Sequence, residues 1–187
     1  MRNGIFALLI LLSGCSSLLP SGDSVVVSQW QSFDQAMSAY QAIEPFQTEH
    51  EQLAELGFSP DSGPNVRIIR HGEIIERLIA VPTRHYQSLP SGLQQCLEQM
   101  EACYGHQVKV RVTHDRRYGN VLADLFNFRR KIETRGWEFQ ALIVLIDGQV
   151  VYKTWSGTPE IQEYQEVNSP LGPLQSIGPA VVPKPEF

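Results

Sequence analysis

The most legible part of the chain runs from residue 106 to residue 155. Val108, Val110 and Val112 alternate with Lys109, Arg111 and Thr113, the period of a strand with one buried and one wet face. After Asn120, a residue type that caps helices, Val121, Leu125, Phe128 and Ile132 recur at helical spacing with Leu122 and Phe126 beside them. This predicts a helix over 119–135 that Gly136 ends. Asp147-Gly148 then separates two apolar runs, Trp137 to Ile146 and Gln149 to Trp155; both residues tolerate positive φ, which is what a two-residue hairpin turn requires. Pairing across that turn puts Leu145, Val150, Ile143, Tyr152, Phe139 and Trp137 on one face, and Val144, Val151, Leu142, Ile146 and Trp155 on the other. A sheet apolar on both faces needs two covers. The pattern assigns the 119–135 helix to one face and the N-terminal helices, or a partner, to the other.

Upstream, Ser32 to Ile43 reads as a helix stopped by Pro45, and Thr48 to Glu51 as a capping box leading into Leu53, Leu56 and the stop Gly57. Asn65 to Ile69 reads as a short strand, Gly72 to Ile79 as a short helix and Pro82 to Pro90 as a loop. From Ser91 a helix carries Leu93, Cys96, Leu97, Met100 and Cys103 on one face, with Met100 expected to pack. Six of the chain's twelve prolines lie between Pro159 and Pro185, so the segment after Ser156 reads as an extended tail. The expected fold is α+β: a small, mainly antiparallel sheet built on the β-α-β-β unit at 106–155 and covered by helices. The single domain spans 31–156 and the Pro-rich tail 157–187.

The chain begins Met1, Arg2, Asn3, continues through an apolar run from Gly4 to Leu12, and then reads Ser13, Gly14, Cys15. A basic start and an apolar core of about ten residues make a secretory leader, too short to span a bilayer. Leu12-Ser13-Gly14-Cys15 resembles the lipobox of bacterial lipoproteins. The resemblance implies that residues 1–14 are removed and that Cys15 is acylated, by palmitate among other chains, so the protein is held on a membrane without crossing it. Ser16, where an Asp would retain such a protein at the inner membrane, implies the periplasmic face of the outer membrane in a Gram-negative cell. Residues 15–30, with Ser16, Ser17, Pro20, Ser21, Gly22, Asp23 and Ser24, read as the acylated Cys and a polar tether.

The two remaining cysteines, Cys96 and Cys103, would lie in a compartment where disulfides persist, and parity favours joining them. Seven residues of continuous helix, however, rise about 10 Å, beyond the ~7 Å that a disulfide spans between Cα atoms. The bond therefore requires the helix to break before Cys103; two buried free thiols are the other outcome.

Charge adds direction. The formal net charge is −5, from 15 Lys+Arg and 20 Asp+Glu, which argues against a nucleic-acid partner. Yet between Lys109 and Arg135 eight basic residues stand against three acidic ones. Arg116, Arg117, Arg129, Arg130, Lys131 and Arg135 are the candidate binding residues, because guanidinium forks grip carboxylates and phosphates. An envelope protein or an anionic envelope polymer is the expected partner; a solvated face paired with the acidic N-terminal half is the alternative. The 115–120 turn is a further place for an anion. The histidines show no metal-ligand spacing, and no nucleophile elbow, phosphate loop or dinucleotide motif occurs. No catalytic residue, metal or cofactor is assigned. The expected function is that of a non-catalytic outer-membrane lipoprotein serving as accessory subunit, adaptor or pilot of an envelope machine. The alternative is an envelope hydrolase or small-ligand-binding lipoprotein with its site at the 115–120 turn or near Cys103, His106 and His114.

Overall fold

The computed structural model describes residues 19–78, 87 and 89–176. The predicted leader, the lipobox and most of the Pro82 to Pro90 loop lie outside them. The fold is α+β, an open antiparallel sheet of five strands with helices around it. In chain order the elements are β1 (Ser21–Val25), α1 (Phe33–Gln41), α2 (His50–Leu56), β2 (Val66–Arg70), α3 (His71–Leu78), α4 (Ser91–Glu98), β3 (Cys103–Tyr118), α5 (Val121–Leu125), β4 (Arg129–Ile146) and β5 (Gln149–Asn168). The sheet order is β1-β3-β4-β5, and β2 also pairs with β3, antiparallel, from Val66 opposite Val108 to Arg70 opposite Tyr104.

The chain divides into two compact units. One comprises residues 24–112 and 136–161; the other comprises 113–135 with the segments before 24 and after 161. In the first, here the core unit, the hairpin forms at Asp147-Gly148 with φ of 49° and 86°, as the sequence predicts. Both faces are covered, and both covers come from the part of the chain upstream of β3. Trp30, Phe33, Ala36 and Tyr40, with Ile43, Leu53 and Phe58, pack on Val108, Val110, Trp137, Phe139, Ile143, Leu145 and Val150. Ile69, Ile74, Leu93, Cys96 and Cys103 pack on Leu142, Val144, Ile146 and Val151. Helix α4 lies so close to β5 that a Cβ on Gly92 would sit 1.8 Å from the Val151 carbonyl oxygen, so only glycine fits there.

Local signals explain most of these elements. Ser32 caps α1 with its hydroxyl accepting from the Gln35 amide, and Gly57 ends α2 at φ 88°. The capping box of α2 is formed by Glu49 and Gln52, one residue on from the predicted pair Thr48 and Glu51. Lys153 Nζ donates to the carbonyls of Tyr40 (2.9 Å) and Ile43 (2.6 Å), satisfying the C-terminal end of α1. Helix α4 stops at Glu98 and a single 3₁₀ turn follows, so the chain doubles back and Cys96 and Cys103 come within 5.2 Å at Cα and are joined. The same break turns Met100 out to 53% exposure; it does not pack as expected.

Four other expectations are corrected. The helix predicted over 119–135 is only α5, five residues long. Asn127, at φ 53°, ends it, and the chain runs on as β4 from Arg129. That segment therefore covers neither face of the sheet. The tether predicted over 15–30 is shorter: Ser21–Val25 is strand β1, the Val26 amide donates to the Arg111 carbonyl, and Trp30 is in the core. The chain does not leave the sheet at Ser156, since β5 continues to Asn168; Pro159 is tolerated because β5 is an edge strand. Finally, Trp155 sits against Phe33, Tyr40 and Phe139, and Tyr152 packs with the opposite cluster, the reverse of the predicted faces. The alternation of faces shifts by one residue between Val151 and Lys153, since Val151 and Tyr152 pack on one cluster and Lys153 and Trp155 meet Tyr40 on the other.

Candidate functional site

The second unit gathers the charged residues that the sequence singles out. On β4, Glu133 and Arg135 occupy the alternation that Trp137 and Phe139 continue further along the strand, so a carboxylate and a guanidinium stand where the pattern would otherwise place apolar side chains. Glu133 is 3% exposed, enclosed by its own partners. Arg116 Nη2 donates to one carboxylate oxygen at 2.7 Å; Arg135 Nε, at 2.6 Å, and the Tyr164 hydroxyl, at 3.2 Å, donate to the other. Hydrogen bonds from Arg116 and then Arg135 hold the Glu133 carboxyl down from 4.5 to about 2.

The remaining candidates are also paired. Arg117 bonds Asp124 (3.2 Å), Arg129 bonds Glu166 (2.7 Å), Lys131 lies 3.5 Å from Glu166 and over the Tyr118 ring, and Arg130 donates to the Asn127 side chain (3.0 Å). Arg129, with Lys131 adding to it, lowers the Glu166 pKa. Thr134 donates to Asp115 (2.6 Å), and His114 meets Asp23 (2.7 Å). The predicted charge asymmetry is therefore largely a property of the sequence. Within this unit's described residues six basic side chains stand beside six acidic ones, and the acids come from β1, β3, α5, β4 and β5, not from the N-terminal helices.

What the pairing builds is a groove of about 510 Å³ lined by Arg116, Arg117, Tyr118, Gly119, Glu133, Arg135 and Tyr164, with Leu19 at its edge. Three guanidinium groups face one carboxylate there. The Tyr118 and Tyr164 rings meet edge to face at 6.5 Å. The Arg116 and Arg135 side chains are 72% and 63% exposed, so each retains N–H donors facing solvent while its position is fixed by Glu133. The sequence points to Arg116, Arg117 and Arg135 and misses Glu133, Tyr118 and Tyr164, because a helical reading of 119–135 hides the strand alternation that places Glu133 among them.

The core unit holds the other polar cluster. His106, 1% exposed, bonds the Phe58 carbonyl through Nδ1 at 2.9 Å; since a carbonyl only accepts, Nδ1 carries the proton. Burial pushes the His106 pKa down. His50 lies edge to face with it at 5.4 Å, and His50 Nε2 is 3.1 Å from Asp61 and 3.4 Å from Ser59 Oγ. Serine and aspartate thus share one imidazole nitrogen, with Ser59 fully buried, so no relay from carboxylate through the ring to a hydroxyl exists here. Cys103 is tied up in the disulfide and has no thiol to offer as a nucleophile. Among the described residues no group of three His, Cys, Asp or Glu is placed to hold a metal ion, and no helix is long and apolar enough to cross a membrane.

The two titrating centres give two pH windows. His106 is held neutral in the fold and takes up a proton when unfolded, so its contribution to stability is present above the ordinary value of 6.5 and fades as pH falls below it. Glu133 contributes above 4.5, and that part is lost as pH falls towards about 2. Urea midpoints measured from pH 7.5 to 5 should fall with pH, and His106→Gln should flatten the profile in that range. A variant profile as steep as the parent's would show that His106 is not the group responsible.

No known protein family, curated protein or solved structure matches this chain.

Proposed function

We propose that this chain is a non-catalytic lipoprotein, anchored through Cys15 on the periplasmic face of the outer membrane, that binds an acidic segment of an envelope partner protein as an accessory subunit or adaptor. The groove carries the reading: Arg116 and Arg135, both positioned by Glu133, stand beside exposed Tyr118 and Tyr164. Arginine and tyrosine are the residue types on which binding energy concentrates, and a shared carboxylate pre-orients both forks before the partner arrives. A partner carboxylate would accept hydrogen bonds from the exposed N–H groups. The leader and lipobox residues supply the address.

Metabolic labelling with palmitate should mark the parent chain and leave Cys15→Ser unlabelled and uncleaved; an unlabelled parent would remove the anchor. A photocrosslinking residue at Tyr164 should then give a discrete adduct in cells. Arg116→Gln together with Arg135→Gln removes both charges and with them the stability that Glu133 gains from its partners, so the melting temperature should fall; in variant protein whose circular dichroism shows the fold retained, the adduct should weaken at least about tenfold. An adduct of equal strength in the double variant, or none from the folded, anchored parent, would sink the groove as a binding site.

A further inference from the structure

Unit 113–135 with its flanking segments also exposes a patch of large apolar side chains that no pairing explains. Leu122 is 65% exposed, Leu125 72%, Phe126 52% and Phe128 48%; on the segment after β5, Leu171 and Leu174 are 66% and 67% exposed. The two segments are one surface. The Ser169 amide donates to the Phe128 carbonyl at 2.8 Å, and Gly172 lies so close to the Phe128 ring that a Cβ there would sit 2.8 Å from it. Single exposed leucines are ordinary, but six large apolar residues on two bonded loops form a patch of the kind that marks an interface.

Two observations bear on what covers it. The first is the position of the chain near Cys15: Leu19 and Pro20 line a hollow with Arg117, Val121, Leu125 and Arg130, at the flank of the patch. Leu19 is the fourth residue after Cys15, a reach of about 14 Å at full extension. The second is the charge beside the patch, where Arg117, Arg129, Arg130 and Lys131 stand against Asp124 and Glu166. Apolar side chains with a surplus of Arg and Lys at their margin match the boundary between acyl chains and anionic headgroups.

We infer that the loops 121–128 and 169–174 are a membrane-contact tip that seats Leu122, Leu125, Phe126, Leu171 and Leu174 in the phospholipid leaflet carrying the Cys15 anchor. The inference rests on the lipobox reading for which membrane this is. It replaces a domain swinging on a long tether with one docked against its own bilayer, the acyl chains and the tip acting as two linked contacts.

The full chain, reconstituted in vesicles of phosphatidylethanolamine and phosphatidylglycerol at three to one, tests this with an environment-sensitive fluorophore on a cysteine at Leu125→Cys and, as control, at Val27→Cys, a site 64% exposed on the core unit. The label at 125 should shift to the blue and be quenched by lipid-borne quenchers, while that at 27 responds only to aqueous iodide. A label at 125 that behaves as the control does, on protein whose acyl chains are confirmed by mass, overturns the tip and leaves the anchor standing. The mature chain from Ser16 onward, made without leader or acyl chains and floated with the same vesicles, tests the tip when the anchor is absent: it should partition to lipid, and Leu122→Ser, Leu125→Ser and Phe126→Ser combined should weaken that more than about tenfold. Unchanged flotation of the triple variant, or a blue shift that depends on protein concentration without lipid and so reports a second copy, overturns the inference.

Discussion

Phe139→Ala should lower the melting temperature of the core unit by roughly 12 °C, the largest effect expected of any single truncation in this chain. Phe139 is fully buried, and its ring lies 5.8 Å from Phe33, 6.2 Å from Trp30 and from Tyr40, 6.5 Å from Phe58 and 6.1 Å from Trp155. Five aromatic rings thus converge on one side chain, which joins α1 to β4 and β5. Truncating a buried Phe removes about 4 kcal/mol, because transfer free energy and packing contacts around the cavity are lost together. For a chain of this size each kcal/mol corresponds to roughly 2–4 °C. Phe139→Leu should recover more than half of the loss, since it refills most of the volume. Thermal unfolding followed by tryptophan fluorescence reads this directly, because Trp30 and Trp155 border the site. A shift under about 3 °C for the alanine variant would mean that the ring cluster does not organise the unit.

Replacing Cys96 and Cys103 together by alanine should cost about 2.5 kcal/mol, the loop-closure entropy of a bridge seven residues apart. Both side chains are buried against Ile74, Leu93, Val144 and Val151, so alanine also loses packing and the total will exceed that figure. Serine should be worse than alanine, because two hydroxyls would enter an apolar cluster without partners. The direct check is thiol titration of purified, unreduced protein in denaturant. Zero reactive thiols from this pair is the expected result; two would place the chain in its reduced form and remove the staple between α4 and the start of β3.

How far the sequence foretold these features depends on whether the deciding forces are local. The Asp147-Gly148 turn, the Ser32 cap, the Gly57 stop and the Val108 to Val112 alternation are each set by a few neighbouring residues, and each stands where the pattern puts it. Residues 128–135 failed because Val121, Leu125, Phe128 and Ile132 fit a helix by spacing alone. What overrides that spacing lies far off in the chain: Asp115 bonds Thr134, Arg116 bonds Glu133, and Glu166 holds Arg129. Asn127, which adopts positive φ at modest strain, was the one nearby hint that the helix ends early. Strand β1 hid behind Ser21, Gly22, Asp23 and Ser24, a linker composition; Val25, Val26 and Val27 were its only β-branched signal. The disulfide could be posed from spacing but not decided, since the break after Glu98 has no glycine or proline to announce it.

The long outer strand β5 would invite neighbours to add to its free edge. Its first residues are already occupied, with the Phe46 amide donating to the Val150 carbonyl and Glu49 bridging to Gln149. Beyond them come Pro159, which removes a donor, and then Glu160 and Glu163, whose charges would confront those of an identical chain. An acidic, proline-broken margin of this kind disfavours edge-to-edge pairing between copies of the chain, and the more so the higher their local concentration.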